Sequence, residues 1–238
     1  MRYSFLSMLC IFILLGCNDR PQKANNSLES VENNKEVTEE NLVKEDKSEK
    51  EQEIFEPLTT QSAIPFLFEY EKRHKERYVR IITDYGNIDI ELFVETPYHR
   101  ANFILLTKEK YFDGSVFHRV VKNFVIQGGN SDSWAIHKKR HRIGQYLLPP
   151  DTKKGFKHHR GVVSMPSSDI ENPHKFASPY EFFIVVQDPG AYHLDGGYTA
   201  FGKVIQGMDV VDKISQVETD DQSEWPKRDV KMKVEILK

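Results

Sequence analysis

The chain has 238 residues, of which 29% are charged and 39% hydrophobic, with a formal net charge of −3. This is the balance of a soluble globular protein; it excludes a polytopic membrane protein and supplies no basic excess to hold a nucleic acid. The two cysteines, Cys10 and Cys17, lie close to the N-terminus, so the body of the chain has no thiol for a disulfide, a thiolate metal site or a nucleophile.

Arg2 precedes an apolar run from Phe5 to Leu15, the short positive region and hydrophobic centre of an export signal over residues 1–16. The run holds roughly 11 residues where a bilayer-crossing helix needs about 20, which predicts a cleaved segment and not a permanent span. It ends in Leu14-Leu15-Gly16-Cys17, which resembles the lipobox of bacterial lipoproteins, whose cysteine receives lipid and becomes the new N-terminus. Residues 17–53 then read as a lipidated N-terminus and a disordered acidic linker, almost free of aromatics and too polar to offset the entropy of folding. As a flexible coil of about 35 residues it spans roughly 30–35 Å.

A short helical extension follows over 54–77: Ser62 as N-cap, Pro65 in the first turn, and Phe66, Leu67 and Tyr70 at helical spacing. Val79 and Ile81, the turn Asp84-Tyr85-Gly86-Asn87, and Ile88, Ile90 and Leu92 alternating with Asp89 and Glu91 predict a β-hairpin. Thr96-Pro97 starts a helix, with threonine as cap and Ala101, Ile104, Leu105 and Lys108 recurring at three to four residues. Short β-like runs come next at Val116–Val121, Phe124–Ile126, Val162–Met165, Phe182–Val186 and Thr199–Lys203. A second helix is expected near Met208–Gln216, and the end alternates, Val230, Met232, Val234 and Ile236 against Lys231, Lys233 and Glu235. Many short strands and few helices predict a mainly β, closed or sandwiched architecture, because closure removes exposed edges.

The run Phe117-His118-Arg119-Val120-Val121-Lys122-Asn123-Phe124-Val125-Ile126-Gln127-Gly128-Gly129 resembles the cyclophilin signature. Further blocks fall in that family's order: Ala101-Asn102-Phe103, Tyr111-Phe112-Asp113-Gly114, Gly161-Val162-Val163-Ser164-Met165, Phe182-Phe183-Ile184, and Leu194-Asp195-Gly196-Gly197-Tyr198-Thr199-Ala200-Phe201-Gly202-Lys203-Val204. The resemblance implies a closed eight-stranded antiparallel cyclophilin-like β-barrel over 78–238, capped by two helices, with the N-terminal helix as an extra. It also implies a peptidyl-prolyl cis-trans isomerase without cofactor or metal, acting as a monomer on proline-containing polypeptides. On that resemblance Arg119 is the catalytic donor, and Gln127 orients it and the substrate carbonyl. Phe124, Val125, Phe183 and Leu194 line the proline pocket, and Phe117, His193 and Tyr198 complete the substrate-binding set. Arginine suits the task, being always charged and rich in donors.

The chain departs from the eukaryotic pattern at Val125 (methionine), Glu181 (glutamine), His193 (tryptophan) and Tyr198 (histidine). Loss of the tryptophan implies weak cyclosporin binding. Pro166-Ser167-Ser168 replaces the usual Ala-Asn and opens a longer loop to Phe182; Pro166 removes an amide donor but keeps a carbonyl. His137 and His141 have the spacing of metal ligands on a helix, but Lys138, Lys139, Arg140 and Arg142 around them disfavour a cation and read as a solvated loop. Ser164 lacks the surrounding glycines of a hydrolase elbow, and no phosphate-cradling loop occurs. The alternative to an enzyme is a cyclophilin-like module that binds proline peptides without turnover. Asn18 after Cys17 is not the aspartate of inner-membrane retention, which points to the outer membrane, facing the periplasm.

Overall fold

The computed structural model describes residues 55–168 and 172–238; the expected signal 1–16, Cys17 and the linker to residue 53 lie outside the described residues. In chain order the elements are β1 (Leu58–Thr59), α1 (Thr60–Arg73), β2 (Tyr78–Thr83), β3 (Gly86–Leu92), α2 (Pro97–Lys108), β4 (Val116–Val121) and β5 (Val125–Asn130). There follow α3 (Trp134–Ile143), β6 (Gly144–Gln145), β7 (Val162–Met165), β8 (Phe182–Val185), β9 (Thr199–Gln206), α4 (Met208–Ser215), β10 (Val230–Lys231) and β11 (Lys233–Ile236).

Nine strands form one sheet in the order β10-β4-β5-β8-β7-β9-β3-β2-β11, every pair antiparallel. Only Met232 separates β10 from β11, so the last run of chain pairs first with β4 and then with β2 and joins the two ends of the sheet. Counted once, that divided strand gives the eight expected. In the β2–β3 hairpin Val79 faces Ile90 and Ile81 faces Ile88, all fully buried, so the alternation read from the sequence points one side of each strand into the barrel.

The N-terminal helix is part of the same core. Its ridge Ala63, Leu67 and Tyr70 is buried, and Arg100 on α2 ties it down through Glu71 Oε2 at 2.9 Å and the carbonyls of His74 and Glu76 at 3.1 and 3.3 Å. The cap falls earlier than expected: Thr59, not Ser62, caps α1, its hydroxyl accepting from Ser62 N at 3.2 Å while Ser62 Oγ accepts from Thr59 N at 2.9 Å. Ser62 is thus the other half of a capping box, and Pro65 lies inside the helix. Thr96 does cap α2 by position, but its hydroxyl makes no cap hydrogen bond.

The basic run expected as a solvated loop is the helix α3. Only Ile136 and Ile143 of its ten residues are buried, too thin an apolar stripe to betray a helix by periodicity. Polar anchors hold it instead: Lys139 Nζ donates to the carbonyls of Lys110 and Asp113 at 2.6 and 2.9 Å, and Arg142 pairs with Glu109 at 2.7 Å. His137 and His141 are exposed on α3, and among the described residues no third potential ligand joins them.

Candidate active site

Buried apolar residues divide into a large cluster inside the barrel and a smaller one on its outer wall. A bulge creates the second as a site. Phe117 stands opposite Gly128 and Arg119 opposite Gln127, so β4 takes two steps where β5 takes one, and His118 is the extra residue. Phe117 and Val120 therefore both point inward, and Arg119 emerges on the outer face beside Gln127. The two glycines after Gln127 have separate jobs. A Cβ on Gly128 would sit 2.6 Å from Met232 and 3.0 Å from Phe117, and one on Gly129 (φ +102°) would sit 2.2 Å from the Tyr180 carbonyl, whose close approach delivers Glu181 to the site.

The outcome is a cleft of about 320 Å³ lined by Arg119, Phe124, Val125, Gln127, Phe183, Leu194 and Tyr198 from the sequence-derived set, together with His118, Asn130, Pro166, Ser167 and Glu181. Phe124 sits at the rim of the β4–β5 turn, where Asn123 takes φ +58°, and its carbonyl accepts from Val186 and Gln187 at 2.8 and 3.1 Å. Leu194 and Tyr198 come from the turn before β9, closed by Tyr198 N donating to Leu194 O at 3.3 Å. His193 is exposed beside the cleft and stacks on Phe124, centroids 5.3 Å apart. Phe117 does not line the cleft: it is fully buried inside the barrel, its ring edge-on to Phe182, because the bulge falls after it.

Polar contacts at the two ends of the cleft differ from those expected. Gln127 Nε2 donates not toward Arg119 but to Glu181 Oε2 at 2.9 Å, with Asn130 Nδ2 3.3 Å from Oε1 and His118 Nε2 3.4 Å from Oε2. Burial pushes the Glu181 carboxyl up, but the hydrogen bonds from His118 and Gln127 and the charge of Arg140 outweigh it and leave the group below its ordinary pKa. An ionised carboxylate only accepts, so it fixes the Gln127 amide with NH₂ toward itself and leaves Oε1 for another donor. Arg119 meets Glu224 instead, Nε 2.6 Å from Oε2, with each side chain 38% exposed. The Pro166 carbonyl is already engaged by Ser178 N at 2.9 Å, within the longer loop.

Behind Phe183 lies a buried relay. His158 Nδ1 is 2.8 Å from Asp195 Oδ1 and Nε2 is 3.1 Å from Ser164 Oγ, and the ring stacks on Phe183 with centroids 6.1 Å apart. Burial lowers the imidazole pKa against the opposing pull of Asp195, so the neutral ring donates to Asp195 and accepts from Ser164. Ser164 is fully buried and cannot meet a substrate as a nucleophile; the relay braces the wall of the cleft. Nothing in the spacing of these three residues announced it, nor did the distant Glu224 stand out.

The family model described as "Cyclophilin type peptidyl-prolyl cis-trans isomerase/CLD" matches residues 78–236. The chain is 37% identical over 145 residues to a peptidyl-prolyl cis-trans isomerase of Acinetobacter baylyi, covering 59% of this chain and 73% of that one. It is 40% identical over 168 residues to peptidyl-prolyl cis-trans isomerase-like 2 of Rhizopus delemar, covering 70% of this chain but only 30% of that longer protein. The crystal structure of a Cryptosporidium parvum cyclophilin type peptidyl-prolyl cis-trans isomerase superposes with TM-score 0.57 at 28% identity, over 68% of this chain and 98% of the other. A second structure of that protein, in the presence of the dipeptide Ala-Pro, gives 0.56 at the same identity and covers 68% of this chain and 99% of its own.

Proposed function

We propose how this chain, which belongs to the cyclophilin-type peptidyl-prolyl cis-trans isomerase family, turns the bond before proline, and where it does so. Rotation about that bond crosses a barrier of about 18–20 kcal/mol and takes tens to hundreds of seconds uncatalysed. As the amide twists, the prolyl nitrogen leaves conjugation and recovers a lone pair, and a donor that meets it only then favours the transition state over both ground states. Arg119 is that donor. The observation that carries the reading is that Arg119 and Gln127 face each other across β4 and β5 at the mouth of a cleft floored by Phe124, Val125, Phe183 and Leu194. The apolar floor takes the proline ring, and Gln127 Oε1 accepts a peptide N–H. Crystallisation of a relative in the presence of Ala-Pro supports the same class of ligand.

Arg119→Ala is expected to lower kcat by about 10²-fold, the loss seen when a preorganised donor is removed, while the far-ultraviolet spectrum stays unchanged. Binding of a proline peptide without any acceleration by the unsubstituted chain would instead make this a binding module.

The signal-like segment and Leu14-Leu15-Gly16-Cys17 support a lipid-anchored protein of the bacterial envelope, at the outer membrane facing the periplasm, whose substrates are exported or unfolded chains. Labelled fatty acid is expected to enter the chain in cells and to be lost in Cys17→Ala; label that persists in the variant refutes the anchor.

A further inference from the structure

Between α4 and β10 the chain makes an excursion that returns to the cleft. It is a hairpin in miniature: Thr219 bridges Pro226, Lys227 N donates to Glu218 O at 2.9 Å, and Asp220 N to Trp225 O at 2.8 Å. Inside it, Asp220 Oδ1 accepts from Gln222 N at 3.1 Å and from Ser223 N at 2.9 Å, and Glu224 N donates to Asp220 O at 3.0 Å. The tip docks on β4 at the catalytic arginine. Glu224 O accepts from Val120 N at 2.9 Å, and the Trp225 and His118 rings lie 5.7 Å apart. The Glu224 backbone thus grips the residue after Arg119, and its carboxylate grips Arg119 itself, Oε2 2.6 Å from Nε.

We propose that Glu224 is a positioning residue for catalysis: its carboxylate, paired with Arg119 on the Nε side at 2.6 Å, holds the guanidinium at the rim of the cleft where the prolyl amide twists. This rests on the assignment of Arg119 as the donor. Nε is one edge of a planar fork with five N–H donors, and among the described residues Glu224 is the one charged partner of this side chain. An ion-pair clamp on that edge takes away rotational freedom, while among the described residues no hydrogen bond occupies the terminal nitrogens, which is how preorganisation raises a rate.

A second observation separates this role from one in holding the loop. Glu224 has φ +57°, in the left-handed region where a side chain is strained and glycine or asparagine is at ease. A turn needing only that shape is better served by Gly or Asn, whereas the clamp needs the longer carboxylate. Rate and stability are thus expected to part company at this one position.

The test measures kcat, KM and Tm in the chain and in Glu224→Gly, Glu224→Asn, Glu224→Gln and Arg119→Ala. Glu224→Gly and Glu224→Asn are expected to lose about 5–20-fold in kcat with KM little changed, while Tm holds or rises. Glu224→Gln keeps the length of the side chain but removes the charge that makes the pair, and is expected to lose rate as the two loop variants do. The proposal is overturned if both loop variants keep kcat within about twofold of the parent while Arg119→Ala loses it, or if their lost rate is matched by a fall in Tm. A rate indifferent to Arg119→Ala overturns the underlying assignment, and the clamp with it.

Discussion

Phe182 and Phe183 are neighbours on β8 and share every local propensity, yet they serve opposite sides of one wall. Phe182 is fully buried in the barrel, ringed by Phe103, Phe112 and Phe117 at centroid distances of 5.6, 5.9 and 6.0 Å. Phe183 faces outward, flanked by Tyr198 at 5.8 Å and His158 at 6.1 Å, over the cleft. Inside, shape alone fixes each residue, and any change of volume is felt as stability. Outside, few apolar neighbours are available, and pairs such as Arg119–Glu224 and Gln127–Glu181 fix the geometry in their place.

The comparison is broken most forcefully by Phe182→Ala, expected to cost about 3–5 kcal/mol in denaturant unfolding while leaving kcat/KM of the folded fraction near that of the parent. A loss of kcat/KM in the molecules that remain folded would show that the interior also sets the site.

Acid offers the next largest effect. His99 is 1% exposed, among the described residues neither ring nitrogen has a hydrogen-bond partner, and burial pushes its pKa down to about 4. Its neutral form is favoured in the fold, so the stability it confers is complete above the unfolded value of about 6.5 and drains away as pH falls toward about 4, by roughly 3 kcal/mol in all. His99→Leu is expected to reduce the drop in Tm between neutral pH and about pH 5. His158, by contrast, has Asp195 to offset its burial and contributes less to the same limb; an acid limb untouched in His99→Leu would invert that ranking.

Phe183→Leu sharpens the contrast from the other side, costing less than about 1.5 kcal/mol of stability but lowering kcat/KM in the isomerisation assay. Smallest of all, Thr59→Ala removes one half of the α1 capping box and is expected to cost about 1 kcal/mol in Tm-derived stability with no change in rate; a change in rate would mean the N-terminal helix communicates with the cleft.

The nine strands of the main sheet, α2 and α4 were legible because alternation and helical spacing are written in Ile, Val and Leu, whereas the two-residue strands β1 and β6 are too short to show a period. Most of the cleft was legible too, from the resemblance carried by the Phe117–Gly129 run. Phe117 was misassigned because a bulge is invisible in a list of residues, and a slip of one position sends a side chain through the wall. α3 was missed because cations and carbonyls anchor it, and these leave no period. Glu224 was missed for a related reason: an ion pair closed by tertiary approach, across 105 positions of sequence from Arg119 to Glu224, has no local signature.

The way the sheet is joined bears on how the protein is made. β4 and β2 each await a partner from the same short stretch, Val230–Ile236. A polypeptide synthesised from its N-terminus therefore exposes two bare sheet margins until Val230–Ile236 arrives, and it is in that interval that it is most open to sticking to its own kind.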